Sequence, residues 1–406
     1  MIGAGAPRIA VVGAGLVGLG TARALRTLLP RARIVIIEKE AQAGAHQSTH
    51  NSGVLHAGLY YAPGSLKAKL AVTGLRMMRA FCEANRIPHE VCGKLVVAVT
   101  RAEVPRLQAL LARGVANGLH GLRWLDADAA REVEPEVRAQ AALWVPEEGI
   151  VDYGAVVSAL VAELAGSGVE FVYGMGVGLA RSSGGSWTMQ GGDREVTADF
   201  VVTCGGLHSD RLARLFGART EVCIVPFRGD YFTLKPGRAH LVRHLIYPVP
   251  DPTFPFLGVH FTRMIGGGVE CGPNAVLALD REGYEPWRVR ARDAIDVLRF
   301  PGLWRFVARY PQAAWFEVRR AASRRLFADS LRMLVPALHD DDLVRGPSGV
   351  RAQAMRPDGT LVEDFAFASG PNSLHVINAP SPAATASLAI GAHVAELVVD
   401  ALRATS

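Results

Sequence analysis

The first forty residues alternate between apolar runs and small-residue turns in a regular order. Residues 8–12 (RIAVV) form a short apolar run suited to a strand buried on both faces. Gly13-Ala14-Gly15-Leu16-Val17-Gly18 follows, residues 19–29 carry apolar positions at helical spacing, and residues 34–37 (IVII) form a second buried run ending at Glu38. Later, residues 169–173 and 200–204 are strand-like. Between them, Ser183-Gly184-Gly185-Ser186 and Gly191-Gly192-Asp193 predict two tight hairpins. Residues 89–100 (HEVCGKLVVAVT) alternate and 103–117 read as helix. Residues 221–280 hold strand candidates broken by Pro and Gly, as in an antiparallel sheet, and 286–309 return to helix.

The opening strand–turn–helix–strand unit assigns each glycine a task. Gly13 makes the tight turn, Gly15 admits a pyrophosphate to the backbone, and Gly18 lets the helix pack on the strand. The helix N-terminus offers unpaired N–H groups to phosphates. Glu38, with Lys39 beside it, falls where a carboxylate accepts hydrogen bonds from ribose hydroxyls and repels a 2′-phosphate. The unit thus predicts a dinucleotide without distinguishing FAD from NAD. The β-meander at 169–204, closed by Gly205-Gly206, favours FAD, because that layout is similar to glutathione-reductase-like domains. The expected fold is α/β: a glutathione-reductase-like Rossmann FAD-binding domain (1–88, 150–218 and 345–406) and an α+β substrate domain on an antiparallel sheet (89–149 and 219–344).

Composition changes this picture little. Half the residues are hydrophobic and a fifth are charged, as in a folded soluble protein. The net charge of +6 is spread along the chain with no run of five or six like charges, so an anionic substrate or membrane is a plausible partner and nucleic acid is not expected. Five cysteines at irregular distances form neither a disulfide framework nor a metal site. With a strand starting at Arg8 and no leader before it, the expected location is cytoplasmic, with peripheral attachment to the inner face of the membrane as the alternative. Residues 365–395 contain no Asp, Glu, Lys or Arg, yet hold Pro371, Pro380 and Pro382, so an interior strand and loop is expected rather than a membrane span.

Three segments concentrate chemistry. Residues 46–61 (HQSTHNSGVLHAGLYY) hold three of the chain's twelve histidines among small residues, which allows close approach to a flat ring. His56 is the favoured base, since a neutral imidazole suits proton abstraction near pH 7. Residues 226–263 contribute Arg228, Tyr247, His260 and Arg263. Arg228, Arg263 and the later Arg351 are candidates for bidentate carboxylate binding. His260 and Arg263 sit three apart on a strand-like segment, so they point to opposite faces unless a bulge intervenes. Residues 378–386 (NAPSPAATA) lead into a helix expected over 387–402, whose N-terminus suits an anionic reduced flavin.

Taken together, GAGLVG, IIEKE, THNSGVLHAGLYYAPGSLKAKL, VPFRGDYF, HLIYPVPDPTFPFLGVHFTRM, GPNAVLA, GVRAQAMRPDGTLVEDF and NAPSPAATASLAIGAH resemble the L-2-hydroxyglutarate oxidases or dehydrogenases of the D-amino-acid-oxidase superfamily. The resemblance runs from about residue 8 to 400 and is weakest over 295–340. It implies oxidation of L-2-hydroxyglutarate to 2-oxoglutarate with FAD, the electrons passing to dioxygen or a membrane quinone. It places Gly13, Gly15, Gly18, Glu38 and Lys39 at the ADP part and Gly205 and Gly206 near the phosphates. Thr49, His50, Asn51, Ser52 and Gly53, with Ser381, Pro382, Ala383, Ala384 and Thr385, would line the flavin, and His50 is a candidate for covalent attachment. His56, His260 and Arg351 would be catalytic, with Arg228 or Arg263 as the second cationic contact of a dicarboxylate and Tyr60 and Tyr247 beside it. Gly349-Val350-Arg351 fits the superfamily's substrate arginine, although Ala352 stands where a Pro often follows. The rivals are an amino-acid oxidase or deaminase of the same fold and a flavin-binding protein without turnover.

Overall fold

The computed structural model describes residues 6–251 and 256–404. Residues 252–255, within one resembling segment, lie outside these. The opening unit forms as expected: strand Arg8–Val12, helix Leu16–Leu28 and strand Arg33–Ile37. They enter a six-stranded sheet in the order Ala366–Gly370, Ser373–Asn378, Phe200–Thr203, Arg8–Val12, Arg33–Ile37, Glu170–Val172, parallel except for the antiparallel edge strand Ala366–Gly370. Both faces of the central strands are buried, which accounts for their unbroken apolar runs. The meander Leu179–Ser183, Ser186–Gly191, Arg194–Ala198 turns at the two expected glycine pairs. Its Trp187, Met189 and Val196 cover one face of the large sheet.

The opposite face carries the helices Leu16–Leu28, Tyr153–Gly166 and Ala383–Ala404. The last begins four residues earlier than expected. Among the described residues it is the one helix long and apolar enough to cross a membrane. It packs instead against Leu16–Leu28 and Leu66–Ala84. Glycines bring these helices together: a Cβ on Gly391 would lie 2.2 Å from the Gly20 carbonyl carbon, and one on Gly74 would lie 2.5 Å from Ala386 Cα. The charge-free stretch is therefore a half-buried edge strand, a buried strand and a helix packed between neighbours.

The second unit is built on a larger sheet running Val276–Leu277, Cys223–Leu234, Val269–Gly272, His260–Arg263, Leu245–Pro248, Lys94–Ala98, Ala141–Val145, Arg123–Asp126, with Leu343–Met355 paired along Cys223–Leu234. Its pairings are antiparallel except one, Leu245–Pro248 against Lys94–Ala98. The strand Leu343–Met355 belongs wholly to this sheet. The chain thus returns to the six-stranded sheet after Met355, whereas the expected boundary at 345 cuts through a continuous strand. The expected helix over 286–309 is two, Ala291–Arg299 and Pro301–Arg309, interrupted at Pro301. A three-stranded ribbon, Val54–Leu55, Gly149–Val151, His89–Glu90, joins the two units. Its register sets Leu55 opposite Gly149, which brings His56 beside Glu148.

Candidate active site

A single cavity of about 1920 Å³ runs from the glycine turn to the larger sheet. Gly13, Gly15, Glu38, Lys39, Gly205 and Gly206 line its first end. Gly13 holds φ +109°, and a Cβ there would lie 2.5 Å from the Cys204 carbonyl oxygen. Gly18 does not face the cavity; a Cβ there would lie 1.9 Å from the Gly13 oxygen, so its task is helix–strand packing, as expected. The Ser48 hydroxyl accepts from Leu16 N–H at 2.9 Å in the first helical turn. The Glu38 carboxylate accepts from Ala14 N–H at 2.8 Å and Glu40 N–H at 3.0 Å, which fixes its position at the strand end. A bare glycine cradle, a helix N-terminus and a held carboxylate fit the phosphates and ribose of an ADP moiety.

A segment from the second unit closes over this end. Glu282 contacts Lys39 Nζ at 2.7 Å and His208 Nε2 at 2.8 Å. Lys39 also meets Glu40 and His46. The adjoining Arg281 is buried in an ion pair with Asp210 and donates to the Leu207 carbonyl at 2.7 Å. Tyr284 lies tilted against His50, ring centroids 4.3 Å apart.

The middle is lined by His50, Asn51 and Ser52 on one side and by Ser381, Pro382, Ala383, Ala384 and Thr385 on the other. Thr49 and Gly53 stand back from the cavity. The Thr49 hydroxyl donates to the Gly44 carbonyl at 2.8 Å, and Gly53 N–H donates to Asn51 Oδ1 at 2.9 Å, so both shape the loop and do not line it. Thr385 shares a 2.9 Å hydrogen bond with Tyr153 and accepts from His56 N–H at 3.2 Å, which ties the helix start to the histidine segment.

The far end collects His56, Tyr60, Tyr61, Lys67, Tyr247, His260 and Arg351. His260 stacks on Tyr247 with centroids 3.8 Å apart, and its Nδ1 donates to the Gly258 carbonyl at 2.9 Å, leaving Nε2 as the acceptor. Burial pushes the His260 imidazole down to about 3 despite that bond, so it is neutral. Burial and the nearby Lys94 also lower His56, against the pull of Glu148. Lys67 is pushed down to about 8 by burial, opposed by Asp364 and Glu363. Arg351 donates to the Asn274 carbonyl at 3.1 Å and lies over the Phe256 ring. The Tyr60 hydroxyl is buried with no hydrogen-bond partner among the described residues, an open position for a ligand oxygen.

Two expected contacts are corrected. Arg263 makes a bidentate pair with Glu90 (3.0 and 2.9 Å), and Arg228 pairs with Asp230 at 2.8 Å. Neither lines the cavity: the Arg263 guanidinium is turned to Glu90 of the joining ribbon and that of Arg228 to Asp230 of its own strand. The strand His260–Arg263 carries no bulge, so its alternation separates the two side chains as anticipated. Sequence reasoning also missed Ser48, Lys67, Lys94 and Glu148. Only Lys94 left a signal, a lone lysine inside an otherwise apolar strand.

A glycine cradle with a ribose carboxylate, continuous with a chamber of neutral histidines and an arginine, defines a flavin-linked oxidoreductase. The chain belongs to the FAD-dependent oxidoreductase (DAO) family, whose model matches residues 8–397. Within it, the chain is 45% identical to the mitochondrial L-2-hydroxyglutarate dehydrogenase of Nematostella vectensis, over 96% of this chain and 89% of that one. It is 42% identical to the L-2-hydroxyglutarate dehydrogenase of Escherichia coli (strain K12), over 98% and 94%. In fold it is similar to the FAD-bound L-alpha-glycerophosphate oxidase of Mycoplasma pneumoniae (TM-score 0.78, 20% identity, 97% and 95% covered) and the glycine oxidase of Geobacillus kaustophilus (TM-score 0.70, 20%, 97% and 95%).

Proposed function

We propose that this chain oxidises L-2-hydroxyglutarate to 2-oxoglutarate with FAD. The observation that carries the reading is the chamber itself, where Arg351, Lys67 and two neutral histidines meet at the end of a cavity that begins at the glycine turn. Bound FAD would supply the acceptor for a hydride, that is two electrons with one proton; the protein supplies position and handles the second proton. Arg351 presents a fork for one carboxylate, and Lys67 replaces Arg228 and Arg263 as the second cation, with the Tyr60 hydroxyl as a further donor. His56 takes the hydroxyl proton. His260, neutral and an acceptor only at Nε2, stands in the same chamber stacked on Tyr247 and adds no positive charge to it.

Anaerobic mixing of the holoenzyme with single compounds tests this. L-2-hydroxyglutarate should bleach the visible flavin band, and its D-isomer and amino acids should not. Bleaching by amino acids alone would transfer the reading to an amino-acid oxidase. No bleaching by any of them would leave a flavin-binding protein without turnover.

For the electron acceptor, the surface favours a membrane quinone over dioxygen. The positive charge is less evenly spread than its lack of runs implied. Residues 287–325 hold ten arginines and three acidic residues, a net +7 against +6 for the whole chain. Three of the six tryptophans lie in the same stretch, and all three are exposed, Trp287 to 91%. Arg290, Arg292, Arg309 and Tyr310 also line the cavity, so this surface continues into its rim. Peripheral attachment to an anionic membrane, facing a reducing compartment that suits five free cysteines, follows from this reading.

A further inference from the structure

Behind His56 lies a buried charge pair that neither cofactor nor substrate handling yet uses. Lys94 and Glu148 are both 0% exposed and in direct contact. Glu148 Oε2 lies 3.4 Å from His56 Nδ1, and Lys94 Nζ lies 3.4 Å from the same nitrogen. Backbone geometry builds this cluster from three segments. Leu55 pairs with Gly149, and Gly93 N–H donates to the Glu148 carbonyl at 2.8 Å, which places Lys94 on the other side of the carboxylate. Lys94 also lies 4.0 Å from the Tyr247 ring centroid and 5.4 Å from that of Tyr60. An ion pair in such a place is seldom the most stable filling, since apolar groups of the same volume avoid the desolvation cost. Its position against one cavity histidine points to that histidine.

We propose that Glu148 and Lys94 are positioning residues for His56: the carboxylate takes the Nδ1–H and leaves Nε2 as the acceptor, while the ammonium holds the carboxylate in place and charged. The inference rests on His56 being the base. When the substrate hydroxyl gives its proton to Nε2, the imidazolium has a counter-ion already in contact, and the proton leaves to solvent after product release. The arrangement follows the logic of a carboxylate orienting a catalytic imidazole. Burial favours the neutral form of Glu148, but Lys94 and His56 outweigh it and bring the carboxyl down to about 2. Lys94 and, more weakly, Lys67 disfavour the imidazolium, and Glu148 favours it. His260, Tyr60, Tyr61, Tyr247 and Cys92 also surround the cluster, and all five are uncharged at neutral pH.

The sign of the pH effect separates this role from a structural one. His56 works when neutral, so the rate of flavin reduction is full above its depressed pKa and falls as pH drops through it. Lys94→Met removes the repelling cation and should move that acid limb up by at least about one pH unit. Glu148→Gln should move it down and slow maximal reduction on the order of 10²–10⁴-fold with little change in KM. Because Glu148→Gln strands a buried ammonium, the Lys94→Met/Glu148→Gln double variant, with no buried charge, repeats the rate test and should be as slow as the single carboxamide. In ¹⁵N-histidine spectra of the oxidised holoenzyme, the His56 ring, assigned by its loss in His56→Gln, should titrate in step with the kinetic limb. Acid limbs and ring titration unmoved in the variants, with His56→Gln itself inactive, would overturn the positioning role. Normal flavin reduction in His56→Gln would instead remove His56 as base.

Discussion

Arg351 is the residue whose chemistry is hardest to replace. Its planar fork matches a carboxylate in two hydrogen bonds, and one nitrogen already donates to the Asn274 carbonyl. A lysine keeps the charge but not the fork. Arg351→Lys should therefore cost about 1.5–3 kcal/mol of transition-state stabilisation, roughly 10- to 150-fold in kcat/KM. Arg263→Lys, whose partner is Glu90, should leave the kinetics unchanged and cost below about 1 kcal/mol of stability. Stopped-flow reduction over a range of substrate concentrations measures both; wild-type kinetics in Arg351→Lys would take it out of the site. The contrast shows which residues a sequence can disclose. Gly13, Gly15 and Glu38 are legible because one local turn dictates residue type and spacing. Asp230 is also legible in principle: two residues from Arg228 on a strand, it shares that residue's face and claims its guanidinium. Glu90 and Glu148 are not, because only the tertiary fold brings these distant segments to Arg263 and Lys94.

At the level of elements, periodicity located the opening strand–helix–strand unit and the last helix, while helix surroundings did not follow from it. The helix Ala383–Ala404 is apolar on most of its surface, a pattern shared by membrane spans and by helices enclosed in protein. What decides is the glycine at each crossing, and that is visible only once Gly20 faces Gly391 and Gly74 faces Ala386. Gly391→Val would force the two backbones apart, and the histidine-segment contact at Thr385 moves with that helix. The expected cost is about 1–3 kcal/mol or more, read as a lower Tm and weaker FAD retention in a thermal melt followed by flavin fluorescence. An unchanged melt would mean the helices separate without penalty. The strand Leu343–Met355 teaches the same limit for domains. Its sequence reads equally well in either sheet, and only its long pairing with Cys223–Leu234 assigns it.

For the whole molecule, the distribution of charge matters more than its total. Residues 287–325, with a net +7 against +6 for the whole chain, include the consecutive helices Ala291–Arg299, Pro301–Arg309 and Pro311–Ala322, whose outward positions also carry Trp304 and Trp315. Arginines with interleaved tryptophans suit the interface of an anionic bilayer, where each basic side chain near the surface contributes about 1 kcal/mol and the indole rings lie at headgroup depth. Attachment there would hold the cavity rim at Arg290 and Arg309 close to acceptors dissolved in lipid. The holoenzyme should therefore float with phosphatidylglycerol vesicles, stay behind with phosphatidylcholine vesicles, and be released by high salt, because exposed charge is screened. Trp287→Ser with Trp315→Ser should abolish flotation while leaving reduction by L-2-hydroxyglutarate and reoxidation by a soluble quinone intact. Equal binding to both vesicle types, or none, would exclude this surface as a membrane contact and return dioxygen to first place as acceptor. Flotation with lost quinone reduction in the tryptophan variants would place the acceptor's entry elsewhere on the rim.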